Sequence, residues 1–107
     1  MSSSSALTGH NFYIVLALAQ GPAHGLGIQK RIIGDTSGMY LRYSTLYSTL
    51  KRLERDGVIE VERQEKIRTY YCLTNKGKRW LENESRTLEF ATRLAKQRLS
   101  VGYRQGW

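Results

Sequence analysis

Apolar positions recur along this chain with two different periods, and the change of period divides it into helices and a hairpin. Phe12 to Ala19 is an unbroken apolar run, so the helix predicted from Thr8 or Gly9 is buried on more than one side. Gly21-Pro22 stops it. A second helix is predicted from His24 to Asp35. Ile28 and Ile32 form its inner face, with Ile33 beside them and Lys30 and Arg31 pointing elsewhere. Gly25, Gly27 and Gly34 weaken it by about 1 kcal/mol each. Thr36-Ser37-Gly38 reads as a turn, and Met39 to Arg42 as one short strand. The third helix is predicted from Ser44 to Asp56. Leu46, Leu50 and Leu53 make one stripe, Thr45, Ser48, Lys51, Arg52 and Arg55 face away, and Gly57 marks a left-handed C-cap.

The period then becomes two. Val58 to Glu62 alternates, and Thr69 to Leu73 does so more loosely. The polar stretch Arg63 to Arg68 has no Asn-Gly or Asp-Gly, so it predicts a longer, mobile hairpin loop. Tyr70 and Tyr71 are adjacent on a strand, so one faces in and the other out. A fourth helix opens at Thr74 or Asn75, either of which can cap it, and runs to Leu99. Trp80, Leu81, Leu88, Ala91, Leu94 and Ala95 mark an interrupted apolar stripe on it. No internal repeat is visible.

Three helices followed by a two-stranded hairpin form the winged variant of the helix-turn-helix. The expected fold class is therefore mainly α with a small β-hairpin. Residues 1–8 read as a disordered N-terminus and 9–74 as a winged-helix DNA-binding domain. Residues 75–99 read as a C-terminal dimerisation helix and 100–107 as a basic tail. In that geometry the third helix enters the major groove of double-stranded DNA and its N-terminal residues reach base edges. Those residues are Tyr43, Ser44, Thr45, Tyr47 and Ser48, with Lys51 and Arg52 nearer the phosphates. Lys66 and Arg68 on the wing are the expected backbone contacts. As a helical aromatic, Tyr47 is more often core than ligand contact, so packing against the wing is its first expectation. The stripe on helix 4 has no obvious partner inside so small a monomer. Leu81, Leu88, Ala91, Leu94 and Ala95 are accordingly expected to form a two-fold interface, helped by helix 1.

Four segments carry a resemblance. Ala17-Leu18 with Gly21-Pro22-Ala23-His24-Gly25 spans the first helical junction. Thr45-Leu46-Tyr47 and Leu50-Lys51-Arg52-Leu53-Glu54, then Asp56-Gly57-Val58-Ile59, cover the third helix and its exit. Arg68-Thr69-Tyr70-Tyr71-Cys72-Leu73-Thr74-Asn75-Lys76-Gly77 covers the second wing strand and the turn into helix 4. In this combination, over Phe12 to Leu99, the sequence resembles the PadR family of transcriptional regulators, in its short form with a single C-terminal helix. The resemblance implies a homodimeric regulator, expected to be a repressor. Some members of the family bind flat aromatic drugs between their C-terminal helices through a tryptophan, so a small aromatic effector is a possible partner by the same resemblance. Trp80 lies near the start of helix 4, with Leu88 and Ala91 at mid-helix, which favours a packing anchor over a drug sandwich. The chain departs from the family at Leu26-Gly27, where an aromatic and an acidic residue are common, and at Arg42-Tyr43-Ser44, where Ser-Pro-Gly is frequent. The family's operator preference therefore does not carry over.

Composition narrows the function classes. The chain has 107 residues and a formal charge of +8, which fits one domain with an acidic partner. The excess is uneven: residues 75–107 hold eight of the 17 Lys and Arg and three of the nine Asp and Glu. Net charge thus supports DNA binding only indirectly, and leaves open what Arg93, Lys96, Arg98 and Arg104 face. No apolar run approaches the roughly 20 residues of a membrane helix, and Met1 to Thr8 lacks the basic residues of a secretory signal. A lone Cys72 excludes an internal disulfide and points to a reducing cytoplasm. With His10 and His24 as the only histidines, no metal-ligand set or cofactor site is expected. No nucleophile–base or paired-carboxylate pattern suggests an enzyme. Rival expectations are an architectural protein that coats or segregates DNA, and a winged-helix module that binds protein.

Overall fold

The computed structural model describes residues 9–104, with side chains through Val101. Four helices and one hairpin follow in the expected order: α1 His10–Leu18, α2 Gly25–Thr36, α3 Tyr43–Arg55, β1 Ile59–Glu65, β2 Arg68–Leu73 and α4 Asn75–Arg104. Residues 1–8, expected to be disordered, lie outside the described part.

The core forms where the inner faces of α1, α2 and α3 meet the base of the hairpin. Ile14, Val15, Ile28, Ile32, Leu46, Leu50 and Ile59 are fully enclosed there. Burial of this apolar surface is the main favourable term for the domain. Gly21, at φ +134°, lets the chain leave α1 sharply. The guanidinium of Arg31 returns to this corner and donates to the carbonyls of Ala17 at 3.1 Å and Gly21 at 2.7 Å. Arg31 is thus a remote cap on α1 and does not point away into solvent.

The short strand expected over Met39–Arg42 is absent; that segment is an extended connector without strand pairing. Its backbone is satisfied by side chains of α2 instead. Gln29 accepts from the Leu41 N–H at 3.1 Å and donates to the Leu41 carbonyl, and the Thr36 hydroxyl accepts from the Met39 N–H at 2.9 Å. The third strand-like contact sits elsewhere, as an antiparallel bridge between Ala23 and Tyr71. The two residues exchange N–H to carbonyl bonds of 3.1 and 2.9 Å. This bridge occupies the edge of β2 and pins the α1–α2 junction to the wing.

The loop expected between the strands is a two-residue turn. Pairing continues from Ile59↔Leu73 to Glu65↔Arg68, with one irregularity between Val61 and Arg63. Lys66 makes the turn with φ +56°, a left-handed conformation uncommon outside glycine, asparagine and aspartate. The tip is polar because both faces of the ribbon are solvated, so polarity did not mark a loop. Thr74 caps α4 by accepting from the Gly77 N–H at 3.0 Å. The helix then runs past Leu99 to Arg104, so the expected tail from residue 100 is helical at least that far. Its 30 residues measure about 45 Å, and the molecule extends 61 Å along its longest axis.

Candidate nucleic-acid interface

Helix α3 is sharply two-sided. Leu46, Thr49, Leu50 and Leu53 are buried, and Tyr43, Ser44, Tyr47, Ser48, Lys51 and Arg52 are exposed. Thr45 is half-buried, and its carbonyl accepts from the Ser48 hydroxyl at 3.1 Å. Thr45 therefore contributes less surface than the spacing alone suggested. Tyr43 and Tyr47 stand one turn apart with ring centres at 6.3 Å. Tyr47 leans over the start of α2, where a side chain on Gly25 would strike its hydroxyl. It is nevertheless 45% exposed, so one face supports the fold while the other remains on the surface. Arg52 donates to the Asn11 side chain at 2.9 Å and links α3 to α1. Lys51 is exposed, while Arg55 lies 3.7 Å from Asp56.

The wing stands beside this face. Its tip places Ile67, 95% exposed, between Lys66 and Arg68. Arg63 is held between Glu62 at 2.7 Å and Glu65 at 3.3 Å, and its guanidinium covers the Tyr70 ring at 4.0 Å. Tyr70 is the outward member of the tyrosine pair. Tyr71 packs against the core, and burial followed by the nearby Glu54 pushes its hydroxyl pKa up. Arg68 reaches back across the wing, its Nη1 3.5 Å from Nε2 of His24. His24 caps α2 by accepting from the Gly27 N–H at 3.3 Å, and its ring meets Tyr70 edge-on at 5.2 Å. A cleft of about 410 Å³ lies between the start of α2, Tyr47 of α3 and Arg68 of β2.

An exposed polar and aromatic helix flanked by a basic-tipped hairpin is the arrangement of a winged-helix DNA reader. The family model for the PadR-like transcriptional regulators matches residues 14–83, which run from the middle of α1 through β2 into the start of α4. The chain belongs to the PadR-like family of transcriptional regulators. Among solved structures it is similar to a transcriptional regulator from Clostridium thermocellum. That match has 26% identity and a TM-score of 0.75, covering 90% of this chain and 97% of that one. It is also similar to a PadR family transcription regulator from Clostridium difficile. There the identity is 29% and the TM-score 0.73, covering 83% of this chain and 96% of the other. A curated relative, an uncharacterized 37.1 kDa protein in a transposon of Streptomyces fradiae, is 33% identical over 75 residues. The match takes in 70% of this chain and spans about one fifth (21%) of that relative's length.

PadR-like proteins are DNA-binding regulators and not enzymes, which gives the α3 face and wing their meaning. The remaining conspicuous side chains fit a structural frame. Trp80 is partly buried against the core, its ring 6.5 Å from Phe12. Cys72 is half-buried in β2, and desolvation followed by Glu60 and Glu62 pushes its thiol pKa up, which disfavours the reactive thiolate. Among the described residues no cluster could hold a metal ion, and no helix is long and apolar enough to cross a membrane.

The stripe expected at the dimer interface divides. Leu81 is half-buried and packs on the monomer's own core. Leu88 and Leu94 are half-buried, and Ala91 and Ala95 are exposed. Phe90, Leu99 and Val101, which the spacing argument passed over, are exposed at 60%, 61% and 46%. Leu99 stands five full turns beyond Leu81 on the same side of α4, whereas Phe90 and Val101 lie on the opposite side.

Proposed function

We propose that this protein is a sequence-specific transcriptional repressor acting as a homodimer on double-stranded DNA. The observation that carries this reading is the exposed α3 face, Tyr43, Ser44, Tyr47, Ser48 and Lys51, standing beside a wing tipped by Lys66 and Arg68. The hydroxyls and tyrosines read base edges. Lys51, Lys66 and Arg68 meet phosphates, with Arg52 shared between Asn11 and the backbone. Thr45 supports Ser48 and contacts little itself.

The second copy joins through α4. Beyond the domain α4 carries apolar side chains on two sides, Leu88, Ala91, Ala95 and Leu99 on one and Phe90, Leu94 and Val101 on the other, and a partner helix can cover either stripe. A two-fold dimer places two α3 helices about one DNA turn apart on an inverted repeat. Footprinting on DNA upstream of the protein's own gene tests the reading. An isolated protected site of two half-sites is expected, whereas protection spreading along the duplex supports a coating protein instead. If the dimer neutralises about eight phosphates, the log–log salt slope of binding is near −7. Binding that ignores salt, or no binding to any duplex, overturns the proposal.

A further inference from the structure

We propose that His24 and Arg68 together seat one phosphate oxygen of duplex DNA at the mouth of the cleft between α2, α3 and the wing. This rests on the DNA-binding reading above and adds His24, at the start of α2, to the phosphate contact of Arg68.

The argument begins with donors and acceptors. A neutral imidazole has one nitrogen that accepts and one that donates, whereas a guanidinium only donates. Both nitrogens of His24 face donors: Nδ1 faces the Gly27 N–H at 3.3 Å, and Nε2 faces Nη1 of Arg68 at 3.5 Å. One lone pair cannot serve both. The Gly27 N–H cannot turn away within its helix, so Nδ1 takes the acceptor role and Nε2 carries the proton. Two N–H groups then converge from α2 and β2 with no acceptor between them. An anionic oxygen placed there accepts from both, as a charge-assisted pair with Arg68.

The surroundings suit an anion. The cleft is lined by His24, Gly25, Tyr47, Arg68, Thr69 and Tyr71 among others, with no carboxylate in its wall. The ring is held by Tyr70 at its edge, and Tyr70 in turn lies under Arg63. Burial first, and then the cations Arg68, Lys30 and Arg31, hold the His24 pKa below its ordinary 6.5, which favours the neutral ring. The cleft also lies between Tyr47 and Arg68, two residues of the proposed DNA face. A phosphate of the duplex crossing from the α3 groove to the wing passes over its mouth. His24 thus supplies a hydrogen bond without a charge, and Arg68 supplies the charge.

The test uses the full chain and His24→Asn. Asparagine is among the strongest N-cap residues, so α2 keeps its cap, but its side chain is too short to bring an N–H beside Arg68. Affinity by fluorescence anisotropy should fall about tenfold for specific and unrelated duplexes alike. The salt slope and the melting temperature should not change, because no cation and no cap is lost. Arg68→Ala should also weaken binding, and make the slope shallower by about 1 for each phosphate released. Adding inorganic phosphate in place of chloride at fixed ionic strength should shift the His24 ring resonances of the free protein. A His24→Asn protein that binds DNA as the wild type does overturns the seat and leaves the DNA reading standing. An affinity loss matched by a lower melting temperature also overturns it, since the ring is then only a cap. Failure of the wild type to bind any duplex overturns both.

Discussion

Consider Gln29→Leu, a change that nearly preserves volume and removes both hydrogen bonds to Leu41. Gln29 is 4% exposed and Leu41 2%, so water does not replace the lost partners without opening the domain. One buried N–H and one buried carbonyl are left unpaired, at about 1–3 kcal/mol each. The leucine recovers part of this through apolar burial, leaving a net loss of about 2–4 kcal/mol. At about 4–8 °C per kcal/mol for a domain of this size, the melting temperature should fall by roughly 8–32 °C. The effect should also reach function. Leu41 lies two residues before the start of α3, so the variant lets the recognition helix shift and should bind DNA more weakly even where it remains folded. Thermal unfolding by circular dichroism, with duplex binding at 15 °C, checks both parts. A melting temperature within about 3 °C of the wild type would refute the reasoning, because Leu41 would then have found other partners at no cost.

Three further outcomes follow from the same contacts. Gly77→Ala should cost about 2–3 kcal/mol in a urea titration, since the added methyl meets the backbone carbonyl of Val58, which cannot move aside cheaply. Gly25→Ala meets only the tip of the half-exposed Tyr47 side chain, its Cζ at 2.7 Å. Stability should therefore change by less than about 1 kcal/mol, while DNA affinity drops as Tyr47 swings out of place. The third concerns pH. Burial, then Arg68, Lys30 and Arg31, hold the His24 pKa below its ordinary 6.5. Folding thus favours the neutral ring. The associated stability is complete above pH 6.5 and is lost as pH falls through the lowered value. Melting temperatures from pH 7.5 to 5 should decline in the wild type and decline less in His24→Asn; equal declines would assign the pH effect to other groups.

Much of this protein is legible along the chain. Element order, the Leu46, Leu50 and Leu53 stripe, the Gly57 exit at φ +78° and the Thr74 cap all follow from local periodicity and capping chemistry. These signals involve residues within a few positions of one another, so no tertiary knowledge is required to read them. The segment Met39–Arg42 is ambiguous along the chain because an extended run looks the same whether a strand or the Gln29 side chain satisfies its backbone. The wing turn is hidden in the sequence because Lys66 adopts a conformation that its residue type does not announce. Leu81 and Phe90 share one helix, yet only the packing of α4 on the domain shows that Leu81 faces the core and Phe90 faces solvent. His24 shows the division most plainly. The sequence places it only at the start of the second helix, and its cap on the Gly27 N–H appears in the folded chain. That Arg68, 44 residues away, brings a second donor to the same ring is decided only when the wing folds back over α2.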